Sequence, residues 1–222
     1  MNPEPSAVKR NPLTSQVTEQ LRRDILLGVI PSGSRVTVQT IAERYNTSAI
    51  PVRETLRTLH GENLIIMHPY RGATVRTIDA KFIEGMYDIL RSMEVLIIEA
   101  IEGHWTAQLR AEVAAANNRI AALASQAEIL QHFNALNRAF HDPLEQYCEN
   151  ERARELRDYY HMCVSILTEN AKPHTPERIQ CVCAEHQQII DALDSGNMDA
   201  VRSAYIRHSL AAKREFLRQI SR

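Results

Sequence analysis

The sequence predicts a mostly α-helical chain in two parts: three short helices closed by a β-hairpin, then an antiparallel all-α bundle of about six helices. Three observations predict it. Apolar residues recur at helical spacing through most of the 222 residues. β-type runs are confined to the two flanking the stretch His68–Gly72. Gly, Pro, Ser and Asn breakers fall between the periodic stretches at short intervals, so neighbouring helices should run antiparallel.

Residues 1–11 are rich in Pro, Asn and charge and are expected to form a disordered tail. Val17, Leu21, Ile25 and Leu26 then mark a helix over Leu13–Leu27, which Gly28 and the turn IPSGSR end. The stretch Val36–Leu59 reads as two helices joined by a tight turn. Ile41, Ala42 and Tyr45 give the first an apolar face; Val52, Leu56 and Leu59 give the second its own. Asn46 sits at the reversal, where a left-handed residue is needed, Ser48 is placed to cap the second helix, and Pro51 falls in its first turn. Opposite the buried stripe lie Ile50, Arg53, Glu54 and Arg57. Two arginines one turn apart on an exposed short helix suit a major groove, because a guanidinium pairs bidentately with guanine or phosphate; an ordinary helical hairpin with a solvated charged face is the alternative. Two short β runs, Leu64–Met67 and Ala73–Arg76, follow, with Gly72 at the hairpin. Helix, helix, helix, hairpin is the order of a winged helix-turn-helix, expected over 12–78, with Arg71 and the Gly72 backbone offered by the wing.

Charge agrees with that division. The net of −1 hides ten basic against six acidic residues up to Ile78, and 16 against 21 afterwards, a basic front joined to an acidic back. Apolar content of 44% suffices for packed cores, and 5% aromatics leaves Leu, Ile, Val, Ala and Met to build them. No apolar run approaches a membrane span, since even Val95–Ile101 is broken by Glu99, and the opening MNPEPSAVKRNP is no secretory signal. A cytoplasmic protein with no membrane partner is expected. Cys148, Cys163, Cys181 and Cys183 complete no zinc pattern and read as packing thiols, with a redox switch as the alternative.

Residues 13–76 resemble the DNA-binding domain of GntR-family bacterial transcription regulators, through LRRDILLGVIPSGSRV, IAERYNTSAIPVRETLRTL and the wing RGATV. The S-x-x-PVRE-x-L-R-x-L run at Ser48–Leu59 is the most distinctive piece. The resemblance implies contact with double-stranded operator DNA by Arg35, Gln39, Ser48, Arg53, Arg57 and the wing around Gly72. Asn46 stands where the family usually has Gly, and Ala49 where members often carry a base-reading Arg.

From Asp79 to the end the chain divides into about six helices. Asp79 is placed to cap one through Phe82, Met86, Ile89, Met93 and Ile97; Thr106 one through Leu109, Val113 and Ile120. Ser125 with Glu128 makes a capping box for a third through Leu130, Phe133, Leu136 and Phe140. Asn150 caps a fourth through Leu156, Tyr160 and Val164, Thr175–Pro176 opens a fifth, and a sixth runs from Met198 to about Arg218.

Three histidines fall on stripes that should be buried: His141 one turn after Asn137, His186 with Val182, Ile189 and Leu193, and His208 with Val201, Tyr205 and Ala212. Imidazoles brought from separate helices into a core suit a divalent transition metal; satisfied core histidines are the alternative. The segments Arg91-x-x-Glu94, NRAFH at Asn137–His141, Glu185–His186 and the later His208 resemble the FCD effector domain of the FadR-type branch, in its smaller six-helix VanR-like form. That resemblance implies a divalent metal, zinc or nickel first, held by Asn137, His141, His186 and His208, with Asn137 standing where the family usually has Asp. Pro143 is expected to break the helix just past His141. The resemblance also implies a small carboxylic-acid effector beside the metal, with Arg91 as its bidentate partner; a surface pair of Arg91 with Glu94 is the alternative.

The expectation is therefore a homodimeric DNA-binding repressor, with residues 79–222 as effector-binding and dimerisation domain. A helical domain that only dimerises is the second reading. A three-histidine metalloenzyme is the third, and lacks H-E-x-x-H, G-x-S-x-G or a carboxylate partner on the same stripes.

Overall fold

The computed structural model describes residues 12–69, 71–169 and 174–220. The tail expected over 1–11 lies outside them. The chain divides into two compact units, Met1–Asp79 and Ala80–Arg222.

In the first unit, α1 (Pro12–Leu26), α2 (Val38–Arg44) and α3 (Ala49–Gly61) stand with a small sheet of β1 (Arg35–Val36), β2 (Ile65–His68) and β3 (Gly72–Val75). The sheet order is β1-β3-β2, all antiparallel, with Ile65 opposite Val75 and Arg35 opposite Thr74. Strand β1 is an addition to the hairpin expected from sequence; two residues are too few to show periodicity. The core is built by Leu21, Ile25, Ile41, Val52, Leu56 and Leu59, all but sealed from solvent. Asn46 turns between α2 and α3 at φ 48°, as its position required. Three polar contacts, one buried and two part-buried, fix the helices against one another. The Thr18 and Thr55 hydroxyls meet at 2.9 Å. Arg22 Nη2 donates to Glu62 at 2.6 Å. Asp24 Oδ2 accepts from Arg44 at 2.8 Å and from Tyr45 at 2.9 Å. One expectation is corrected here. Ser48 occupies the N-cap of α3, but its hydroxyl makes no capping bond.

The second unit is an all-helical bundle: α4 (Ala80–Ile98) with a 3-10 turn at Glu99–Ile101, α5 (Ala107–Ala121), α6 (Gln126–Glu145), α7 (Glu151–Thr168), α8 (Pro176–Asp194) and α9 (Met198–Ile220). Helix α4 packs between α7 and α9, and α8 between α5 and α9. Side-chain caps close four N-termini: Thr106, Ser125, Asn150 and Thr175 each accept from the backbone N–H three residues on. Ser125 and Glu128 form the full box. Three expected stripes are out of phase. Leu130 is 72% exposed and Ile129, at 2%, takes the core position. Ile89 faces solvent at 42% while Leu90 and Ile83 are buried. On α7 the buried residues are Ala153, Cys163 and Leu167, so small side chains let that helix lie close to α4, while Leu156, Tyr160 and Val164 are half-buried. Pro143 does not break α6 after His141; the helix runs on to Glu145. The bond Pro143 cannot donate belongs to the last turn, where little of the ladder follows it. All four cysteines are thiols. Among the described residues no helix is long and apolar enough to cross a membrane.

Candidate functional site

Two groups of side chains stand out, one in each unit. On α3, burial of Val52, Thr55, Leu56 and Leu59 forces Arg53 and Arg57 onto the exposed face, with Ile50 beside them at 69% exposure. Glu54, on the same face, accepts from the Thr14 hydroxyl at 3.1 Å and so ties α3 to α1. Gln39 is exposed and donates to Glu43 at 3.0 Å, and Ser48 is exposed. In the wing, Arg35 Nε donates to the Arg71 carbonyl at 2.8 Å, tying the first strand to the hairpin loop. Gly72 sits at φ +85°, and a Cβ there would lie 2.6 Å from the Val36 carbonyl oxygen. No side chain fits, so the backbone itself forms this edge.

In the bundle, the folding of α6, α8 and α9 brings His141, His186 and His208 together. One ring nitrogen from each lies within 4.8 Å of the other two. Each Nδ1 already has a partner: Tyr205 Oη at 3.0 Å for His141, Asn117 Oδ1 at 3.2 Å for His186, and Glu185 Oε2 at 2.8 Å for His208. These partners decide which nitrogen carries the proton. The Glu185 carboxylate only accepts, so His208 Nδ1 donates. Asn117 spends its Nδ2 on the Cys183 carbonyl at 3.1 Å and turns Oδ1 to His186, so that Nδ1 donates as well. Tyr205 alone of the three can play either role. The Nε2 atoms of His186 and His208 are thereby left as lone-pair donors, and His186 Nε2 is buried with no hydrogen-bond partner. Asn137 Oδ1, on α6 one turn before His141, is buried and unpartnered too.

Electrostatics keeps these rings ready to ligate. Burial, with Arg157 adding to it at His141 and Arg178 at His186, holds both rings well below the ordinary imidazole range, hence neutral near pH 7. Burial pushes Glu185 up, but hydrogen bonds from His208 and Arg178 outweigh it and lower its carboxyl; Arg178 Nη1 reaches Glu185 at 2.6 Å. A hydrogen-bonded partner behind each imidazole is the arrangement that orients metal-ligating histidines. The donor set of three imidazoles and an amide oxygen fits a divalent transition metal, and the two unpartnered buried atoms, His186 Nε2 and Asn137 Oδ1, are those such an ion would satisfy.

Arg91 lies on α4 with its Nη1 2.9 Å from Asp88, rather than in the surface pair with Glu94. Five residues that sequence reasoning did not assign to the site surround it: Asn117, Glu185 and Tyr205 behind the imidazoles, and Arg157 and His161 on α7. Tyr205 shares the His208 stripe and Glu185 precedes His186, so helical spacing carried a trace of those two. Asn117, Arg157 and His161 belong to helices whose approach only the tertiary fold decides.

Each of the two units matches a known protein family. Residues 13–75 match the bacterial regulatory proteins of the gntR family, and residues 85–211 match the FCD domain. The chain is 23% identical over 208 residues to the HTH-type transcriptional regulator YdhC of Bacillus subtilis (strain 168), covering 90% of this chain and 89% of that protein. It is 26% identical over 211 residues to the HTH-type transcriptional repressor RspR of Escherichia coli (strain K12), covering 94% and 90%. Among solved structures, E. coli McbR/YncC superposes with a TM-score of 0.63 at 18% identity, over 95% of this chain and 99% of that one, which shows a shared fold. The chain thus belongs to the FCD-domain branch of the GntR family of bacterial regulatory proteins, and is a DNA-binding transcriptional regulator rather than an enzyme.

Proposed function

We propose that the protein is a homodimeric repressor that reads a palindromic operator and is controlled by a small carboxylic acid bound beside a divalent metal in the helical unit. The DNA half is supported by the exposed pair Arg53 and Arg57, one turn apart on α3, which suits guanine edges or phosphates in a major groove. Arg35, Gln39, Ser48, Arg71 and the Gly72 backbone would meet flanking phosphates. Two copies on a two-fold axis match a two-fold-symmetric site.

The observation that carries the effector half is the convergence of three imidazoles whose Nδ1 atoms are already engaged. His141, His186 and His208 would hold zinc or nickel through Nε2, with Asn137 Oδ1 as a weaker oxygen ligand. Bound there, the ion would supply a positive charge and Lewis acidity toward a carboxylate. Glu185 and Asn117 fix the tautomers of His208 and His186, and Tyr205 positions His141. The effector's influence on DNA binding is then limited to its preference for one arrangement of the dimer over the other.

A mobility-shift titration against DNA upstream of the protein's own gene tests this reading. Sequence-selective binding that weakens steeply as salt rises supports it; equal affinity for unrelated DNA of the same length contradicts it.

A further inference from the structure

Among the described residues, helix α7 carries two buried nitrogens without a hydrogen-bond partner. Arg157 reaches Glu145 Oε2 with Nη2 at 2.7 Å and Asp158 with Nη1 at 3.3 Å, but its Nε is buried without a hydrogen-bond partner. One turn on, His161 Nδ1 is buried and unpartnered as well. Glu145, 4% exposed, also has an oxygen, Oε2, that stands close to Arg157 without an aligned hydrogen bond. Buried polar atoms are nearly always paired, so the two unpartnered nitrogens on successive turns of α7 mark a place for something polar. The spot adjoins the imidazole cluster: the charges of both Arg157 and His161 bear on His141, and that of Arg157 also on Glu94 and Tyr205. On its outer side a cavity of about 240 Å³ is lined by Asp142, Glu145, Gln146, Arg154, Arg157 and Asp158. That volume gives room for a small organic acid.

We propose that α7, through the Arg157 guanidinium and the His161 imidazole, receives the carboxylate of the effector, and that Arg91 of α4 does not. This deepens the effector reading above and rests on it. The guanidinium Nε–H can only donate, and the His161 ring donates in its Nδ1–H tautomer, so the ligand group must accept, and the adjoining charge must suit an anion. Asp142 and Asp158 offset Arg154 and Arg157, while burial pushes the Glu145 carboxyl up to about 8, so that it stands protonated near neutrality. The wall is therefore close to neutral as a whole, and what an incoming carboxylate supplies is the hydrogen-bond acceptor that the buried Arg157 Nε–H lacks. Arg91 is drawn the other way: its partner Asp88 is half exposed and is shared with Lys213 at 2.8 Å. Unlike Arg157, that guanidinium has no atom among the described buried groups left without a hydrogen bond.

Acetate and malonate titrated calorimetrically into the full chain, with and without Co²⁺, test the assignment. His161→Phe keeps the ring volume and removes the donor; Arg157→Met combined with Glu145→Gln removes the cation without stranding a buried carboxylate. Each is expected to weaken acid binding about 10- to 100-fold, while the visible bands of the Co²⁺ form and the melting temperature stay put, and Arg91→Met is expected to bind both acids like the parent. If the double variant does not fold, His161→Phe decides alone. Loss of binding in Arg91→Met with retention in His161→Phe overturns the proposal. So does a parent chain that binds neither acid, which would leave the buried donors to ordered water. A chain that takes up no Co²⁺ defeats the metal reading, and the calorimetric comparison of variants without metal still decides the role of α7.

Discussion

The Nδ1 of His208 lies 2.8 Å from Glu185 Oε2, and the same carboxylate is gripped on its other side by Arg178. This contact joins α9 to α8 and makes His208 Nε2 a lone-pair donor. If His208 ligates a metal as proposed, this part-buried ion pair would orient it. Glu185→Gln keeps the shape but lets the amide present either a donor or an acceptor to Nδ1, so the tautomer is no longer fixed. Zinc affinity, read by competition with a chromogenic chelator, is expected to fall about 10- to 100-fold with the helical circular dichroism unchanged. Unaltered affinity would show that His208 is no ligand.

Arg53→Ala and Arg57→Ala test the other end of the chain. Both side chains are exposed, so unfolding free energy should move by no more than about 0.5 kcal/mol. Operator affinity should drop by about 1–3 kcal/mol for an arginine that reads a base; for one that meets a phosphate, the salt slope should shrink by about one. Titration at three ionic strengths separates the two roles.

Gly72→Ala probes the wing. At φ +85° with 2.6 Å to the Val36 carbonyl, the added methyl group must displace β1 or the hairpin. A cost of about 1–3 kcal/mol is expected in denaturant unfolding of the N-terminal unit, together with weaker DNA binding. A variant as stable as the parent would mean the wing adapts freely.

Helical spacing made the three imidazoles visible because each shares a stripe with apolar neighbours: Val182, Ile189 and Leu193 for His186, Val201 and Tyr205 for His208. Asn46 and Gly72 were legible for a different reason, since few residues take positive φ and both stood where the chain had to reverse. The phase of a stripe was less secure. Ile129 and Leu130, or Ile89 and Leu90, are adjacent apolar residues about 100° apart on the helix, and only the facing helix selects between them. The partners behind the imidazoles could not be read in advance. Asn117 meets His186 across 69 residues of sequence, through the packing of α5 on α8, and no local pattern encodes that. His161 and Arg157 sit on a helix whose buried positions are mostly Ala and Cys, which mutes the periodicity that would have oriented them.

Glu145 gives the bundle a pH signature. Burial raises its carboxyl from the ordinary 4.5 to about 8, against the opposing pull of Arg157. A raised folded-state value means its contribution to stability is fully present below about pH 4.5 and is lost as pH climbs through about 8, at no more than about 1.4 kcal/mol per pH unit in between. The difference in unfolding free energy between parent and Glu145→Gln should therefore shift in the variant's favour across that window. A pH-independent difference would show that Glu145 stays ionised against Arg157.

The most direct test of the whole reading is the metal content of protein purified without chelators or metal-affinity resin. The parent is expected to carry about one equivalent of zinc or nickel per chain, and His186→Ala close to none, with the fold retained in both. A folded parent that binds no divalent transition metal, even after incubation with excess zinc and nickel, would contradict it and return the three histidines to the role of a hydrogen-bonded core.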